Sequence, residues 1–423
     1  MNDQSPFYSF PDSLSLLEEL KSTGRQKVLL VNGHFHTPFS FSAFTEIEQV
    51  FQMAKAEGVR VLGINDFYTT DGYAEFADLA DKYKIFPLFN IEFMALQHDL
   101  QEQGIRVNDP ANPGRTYMSG KGLAYPFKIG RDQRKLLEQI QKESNVQTAE
   151  MVEKLNVFLD ELNAGFCFDF EKLKVRYAKN MLRERHIAKA LRVAIKEKFN
   201  TKEERQAFYI QLFSGKELKS DLNDATGLEN EIRSNLLKTG GKAFVPEDTK
   251  AFLNLEQVNE IIISAGGIPC YPVLLDDPKG LITDFEADEE ALYYSLIERN
   301  IYCIELIPGR NDFSVLKEFV RFFRSKNFLI TFGTEHNTPQ LDPVKVSCRG
   351  SVDLDEELNK IGYEGACIIA AHQYLVARGK EGYLDLNGIA KVHEYDAFVE
   401  LGQAVIMHFI EASSPTLLQR RRV

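Results

Sequence analysis

Two of the eight histidines in the chain stand one residue apart, at His34-Phe35-His36. Side chains alternate along an extended segment, so both imidazoles leave the same face of a strand. Two imidazoles joined by carboxylates from neighbouring strands make a donor set for a transition metal such as zinc or manganese. Comparable polar clusters close three other apolar runs: Asn65-Asp66 after Val59–Ile64, Asn90-Ile91-Glu92 after Ile85–Phe89, and Glu335-His336-Asn337 shortly after Phe328–Phe332. His34, His36, Glu92 and Glu335 are therefore the candidate ligands of a divalent metal. Such a metal lowers the pKa of a bound water to about 7 and makes a nucleophile of it. Glu92, His336 and Asp66 are the candidate catalytic groups. His336 reads equally as ligand, acid–base group or filler, and Asp66 equally as a cap.

The elements that must carry these groups alternate. Val28–Val31, Val59–Ile64 and Ile85–Phe89 read as strands. Between them, Thr45-x-x-Glu48 reads as a capping box, Ile47, Val50, Phe51 and Ala54 follow at helical spacing, and Gly58 closes that helix. Tyr73–Tyr83 is the next helix. Strands separated by single helices imply parallel pairing, in a sheet or barrel whose strand C-termini line the site. Arg131–Ser234 is charged and helical. The alternation resumes with a helix over Leu255–Ala265 and strands over Ile268–Leu274, Tyr302–Ile307 and Phe328–Phe332. Helices over Leu358–Arg378 and Asp396–Glu411 follow, and Arg420–Arg422 reads as a frayed tail.

This arrangement resembles the PHP (polymerase and histidinol phosphatase) family over Lys27–Pro339. His34-x-His36 is similar to the family's first motif, Val59–Phe67 to its strand ending in Thr-Asp-His, and Asn90-Ile-Glu92 to its Gly-Ile/Val-Glu. Ala265-Gly-Gly-Ile-Pro-Cys-Tyr271-Pro272 is similar to Gly-Gly-x-x-x-x-His-Pro, and Gly333–Pro339 to Gly-Ser-Asp-x-His-x-Pro. The resemblance implies a metal-dependent phosphoesterase on a distorted (β/α)7 barrel, an α/β fold, with an α-helical insertion and a helical C-terminal extension. Residues 27–130 and 235–340 form the barrel, 131–234 the insertion and 341–423 the extension. Within the insertion, Arg183-Glu-Arg185-His186 is similar to the branch of nucleoside-bisphosphate phosphatases and RNA exonucleases, where a His of this segment faces the phosphate. Phe41, Phe67, Tyr117 and Tyr271 stand where the family keeps metal ligands, so the resemblance implies a reduced, single-metal site. Arg185, His186, Tyr271 and Lys121 are then the candidate substrate contacts, with Arg310 as a further source of positive charge. His186 reads equally as a capped or solvated side chain.

Composition narrows the partners. Fifty basic against 62 acidic residues leave a net charge of −12, which works against a broad nucleic-acid surface; the small phosphate or sugar-derived substrate is what the resemblance implies. No apolar run approaches the ~18 residues that span a bilayer. Five scattered cysteines make no disulfide framework and no secretory pattern opens the chain, so the cytoplasm is the expected compartment. His98, His372, His393 and His408 lack partner spacing and read as structural or surface. A competing reading is a catalytically inactive PHP-like protein whose reshaped pocket binds a small metabolite or a protein partner.

Overall fold

β-Branched and aromatic residues suit the pleated, half-buried surface of a strand, and the apolar runs do become strands. In the computed structural model, which describes residues 5–23, 27–178, 181–277 and 279–411, seven strands form one mixed α/β sheet in chain order. They are β1 Leu30–Phe35, β2 Val59–Phe67, β3 Phe86–Leu96, β4 Arg115–Lys121, β5 Ile268–Val273, β6 Cys303–Leu306 and β7 Leu329–Phe332. The Arg420–Arg422 run lies outside the described residues. β1, β2 and β3 pair in parallel, as do β5, β6 and β7. β4 runs antiparallel to both of its neighbours, which departs from the all-parallel expectation.

The sheet curls until its edges nearly meet. Phe35 bridges Glu335, the His36 N–H donates to the Glu335 carbonyl at 2.7 Å, and the Thr334 N–H donates to the His34 carbonyl at 2.9 Å. Glycine permits this approach. A Cβ on Gly33 would lie 2.4 Å from Thr331 Oγ1, and one on Gly333 would lie 2.3 Å from the His34 Cβ. The result is a distorted, nearly closed seven-stranded barrel.

Two differences at the barrel mouth matter. β1 and β3 run past their apolar stretches, so His34 and Glu92 lie inside strands and not on the loops that follow. The Thr45 capping box does not form. The helix begins at Ile47, and the Thr45 N–H donates instead to Gln49 Oε1 at 3.1 Å. Its end is as expected, with Gly58 in the left-handed region at φ 78°.

Helices pack outside the barrel around separate cores. One core joins Ile47–Glu57 and Tyr73–Tyr83 to the C-terminal helices Glu356–Ala377 and Tyr395–Glu411. A second joins Leu255–Ser264, Glu289–Glu298 and Phe313–Ser325 to the other side of the sheet. A third lies wholly within Met151–Val245, where the helices Arg131–Glu161, Glu184–Lys198 and Lys202–Leu212 meet. No helix among the described residues is long and apolar enough to cross a membrane.

Candidate metal centre

β1 turns His34 into the barrel, and His36 follows on the same side just past the strand's end. Their Nε2 atoms stand 3.2 Å apart. β3 brings Glu92 to them, with Oε2 3.2 Å from His36 Nε2. Among the described residues these three make the one group of His, Cys, Asp or Glu ligand atoms lying within 4.8 Å of one another. All three are buried: His34 is 1% exposed, His36 3% and Glu92 5%.

The residues behind the triad orient it. Glu305, from β6, accepts from His34 Nδ1 at 2.8 Å and pairs through its other oxygen with the Lys121 ammonium. Ser119 Oγ adds a third donor to Glu305 at 3.2 Å. Burial alone would raise the Glu305 pKa, but His34 and Lys121 overcome it and hold the carboxyl down to about 2. An ionised carboxylate only accepts, so His34 Nδ1 carries a proton and Nε2 is the ring atom that faces the triad. His36 is fixed through Nδ1, 3.0 Å from Ser40 Oγ. Burial pushes the His36 pKa down, which keeps the imidazole neutral, the form that ligates. The same burial pushes Glu92 up to about 8, with Glu335 and Glu305 adding to it and His34 and Lys121 opposing.

This donor set fits a divalent metal. Adjacent ligands of a tetrahedral zinc with bonds of ~2.0–2.1 Å lie about 3.3 Å apart, and the two measured edges of the triad are 3.2 Å. A carboxylate on the far nitrogen of a ligating His is the usual device for fixing its tautomer and ring plane.

The other candidates fall around this centre in different ways. Glu335 follows β7 with its backbone in the left-handed region, φ 63°. Its carboxylate pairs with Arg310 and accepts from Asn337 Nδ2 at 2.5 Å. Burial raises its pKa, but Arg310, His34 and His36 bring it below the usual value. His336, also left-handed at φ 54°, turns out of the triad. Its Nδ1 lies 2.7 Å from Thr334 Oγ1 and its Nε2 2.8 Å from the Asp342 carbonyl. Asp66 accepts from the Thr37 N–H at 2.7 Å and the Thr37 hydroxyl at 2.5 Å, tying down the turn that carries His36. Burial pushes Asp66 up to about 6.

Lys121 is fully buried and spent on Glu305 and on Asn65 Oδ1 at 3.3 Å. The Tyr271 hydroxyl donates away from the centre to Glu286 at 2.9 Å. His186 Nδ1 accepts from the Arg183 N–H at 3.0 Å, and the ring lies edge-on to Phe41 at 5.0 Å. Burial pushes His186 down to about 3, with nearby Lys189 adding to the effect. Arg185 differs from these. It lies within electrostatic reach of His36 and Glu335, and its buried Nη1 has no hydrogen-bond partner among the described residues. Glu305, Ser119 and Ser40 were not foreseen. For Glu305 the signal was present, as a lone carboxylate inside the apolar run Tyr302–Ile307.

No protein-family model and no curated protein matches the chain. Two solved structures are similar to it. One is a protein from Bifidobacterium adolescentis proposed to be a metal-dependent phosphoesterase. It matches at 17% identity and a TM-score of 0.49, over 80% of this chain and 96% of that one. The other is an amidohydrolase from Chromobacterium violaceum, solved with bound sulfate and no metal. It matches at 18% identity and a TM-score of 0.44, over 78% of this chain and 96% of that one. At these values the likeness carries nothing about activity.

Proposed function

We propose that the protein is a PHP-like metal-dependent hydrolase of small phosphate esters, working with one divalent metal, zinc or manganese. The observation that carries this reading is the convergence of His34 Nε2, His36 Nε2 and a Glu92 oxygen in a buried pocket, with Glu305 fixing His34 from behind. His34, His36 and Glu92 would hold the metal, and Glu335, drawn aside by Arg310, would stand beside it. When bound, the metal supplies a water of lowered pKa and polarises a phosphoryl oxygen.

The chain's own residues do the rest. Glu305 and Ser40 keep the ligand nitrogens aimed. Asp66 and His336 hold the turns that bear His36 and Glu335, each through two hydrogen bonds. Asp66 is the group in this shell poised to exchange a proton near neutral pH. Arg185 would bring a guanidinium whose buried Nη1 has no partner among the described residues to the phosphate.

A second reading has its own observation. Contacts of 3.2 Å between the triad atoms are also hydrogen-bond lengths, so shared protons can satisfy the three groups without a metal. The fold would then serve to bind a small metabolite or a protein partner. Metal analysis of protein purified without chelator, together with turnover of p-nitrophenyl phosphate, separates the two. The hydrolase reading expects about one metal per chain, and turnover that Glu92→Gln abolishes. Absence of both metal and turnover refutes it and leaves the binding protein.

A further inference from the structure

The helix Glu184–Lys198 begins at the barrel mouth, with Arg183 at its N-cap and Arg185 in its first turn. Each guanidinium lies on an aromatic ring. Arg183 is 4.2 Å from the Phe67 centroid and Arg185 is 5.7 Å from the Phe41 centroid. Both rings belong to the rim of the metal centre. Phe67 is the register partner of Glu92 on the adjoining parallel strand, so the two side chains leave the sheet on the same face. Phe41 follows Ser40, the residue that fixes His36.

Among the described residues no carboxylate pairs with Arg183 or Arg185. The acid between them, Glu184, pairs with Arg233, and Glu335 pairs with Arg310. A ring face holds a guanidinium without neutralising it and leaves the N–H edge free. A buried donor with no partner, such as Arg185 Nη1, is costly unless something arrives to accept from it. The N-terminus of a 15-residue helix adds its own positive end at the same place.

We propose that Arg183 and Arg185, seated on Phe67 and Phe41, form a clamp for a tetrahedral oxyanion beside the triad, with the two phenylalanines as positioning residues. The clamp rests on the hydrolase reading for the identity of its anion as the substrate's phosphate, but its binding step needs no turnover. Phe41 and Phe67 then seat positive charge at the rim of the site with no carboxylate paired directly to it among the described residues, although Glu184 and Glu335 lie within electrostatic reach of Arg185.

The test is calorimetric titration of the full, metal-stripped chain with inorganic phosphate. Arg183→Gln and Arg185→Gln should each weaken binding about tenfold, the loss expected for one charge-assisted contact. Phe67→Leu should weaken it comparably, while Phe67→Trp, which keeps a ring beneath Arg183, should stay close to the parent. Unchanged affinity in both arginine variants overturns the clamp. Equal weakening by Phe67→Leu and Phe67→Trp overturns the positioning role. Should Phe67→Leu fail to fold, the arginine variants and Phe67→Trp still decide. Arginine-dependent phosphate binding in a chain without metal or turnover would sustain the clamp and sink the hydrolase. Turnover with arginine-independent phosphate binding would do the reverse.

Discussion

Replacing Glu92 by Gln should make the metal-free protein more stable while destroying the site. The Glu92 carboxyl is 5% exposed and shares its pocket with His36 Nε2 at 3.2 Å. Burial, then Glu335 and Glu305, outweigh His34 and Lys121, and the pKa rises from 4.5 to about 8. A carboxyl with a raised folded pKa keeps its proton where the unfolded chain has already released it. Its contribution to stability is complete below pH 4.5 and is lost as the pH rises through 8. At ~1.36 kcal/mol per unit, about 3 kcal/mol has gone by pH 7. Gln has the shape of the protonated acid and does not titrate, so Glu92→Gln recovers that sum. With ~2.1 cal/mol/K of unfolding entropy per residue, a chain of this length shifts roughly 1 °C per kcal/mol, or about 3 °C here. The assay is thermal melting in chelator from pH 5 to pH 8. The variant's advantage should grow with pH and close toward pH 4.5. Added zinc should then raise the parent's melting temperature and leave the variant's nearly still. A variant that melts below the parent at pH 7, or by the same margin at every pH, refutes the reasoning.

Other consequences follow from the same contacts. Glu305→Gln or Lys121→Met alone strands a buried charge and should cost about 3–5 kcal/mol in denaturant unfolding, whereas the double variant should cost clearly less than the two together. Zinc affinity, read by competition with a chelator, should fall 10- to 100-fold in Glu305→Gln and stay low in the double variant, because His34 Nδ1 has lost its carboxylate. His372 donates to the Gly266 carbonyl at 2.6 Å and accepts from the Tyr383 N–H at 2.9 Å, and burial pushes its pKa down to about 4. Stability from this neutral imidazole is present above pH 6.5 and lost as pH falls through 4, so His372→Gln should flatten the acid limb of denaturant midpoint against pH. Gly402→Ala places a Cβ 1.7 Å from the Cys367 carbonyl, where backbone of the neighbouring helix cannot yield. It should lower stability by about 1–3 kcal/mol, measured by melting, with zinc uptake unchanged.

The parts legible in the sequence are those fixed by rare residue types and strict periods. Scarce histidine at i and i+2, and Glu92 on another apolar run, are enough to bring three candidate ligand groups together, because strand alternation leaves little choice of face. The helices Tyr73–Tyr83 and Leu255–Ser264 show in their 3.6-residue spacing for the same reason. The parts that escaped depend on distant partners. Arg115–Lys121 has no strand-like alternation, and becomes β4 because β3 and β5 present open edges to it. Lys121 reads as a phosphate contact until Glu305, 184 residues away, takes its charge. Glu335 groups with the triad by chain order, yet Arg310 captures its carboxylate. His336 goes elsewhere because two successive left-handed residues end the run after β7, a conformation that non-glycine residues rarely announce.

The buried ion pair at the centre of the barrel bears on which function the fold serves. Barrel interiors are ordinarily filled by branched apolar side chains, and a buried salt bridge is often no more stabilising than an apolar replacement of the same volume. Stability therefore does not explain why Lys121 and Glu305, both fully buried, occupy this interior. Orientation does. Lys121 keeps Glu305 ionised, Glu305 accepts from His34 Nδ1 and fixes the ring, and Nε2 is left facing His36 and Glu92. A pocket that only had to fill space, or to bind a neutral metabolite, has no use for that chain of constraints. On the hydrolase reading, a site that presents two imidazoles and a carboxylate to a cation uses each link of it.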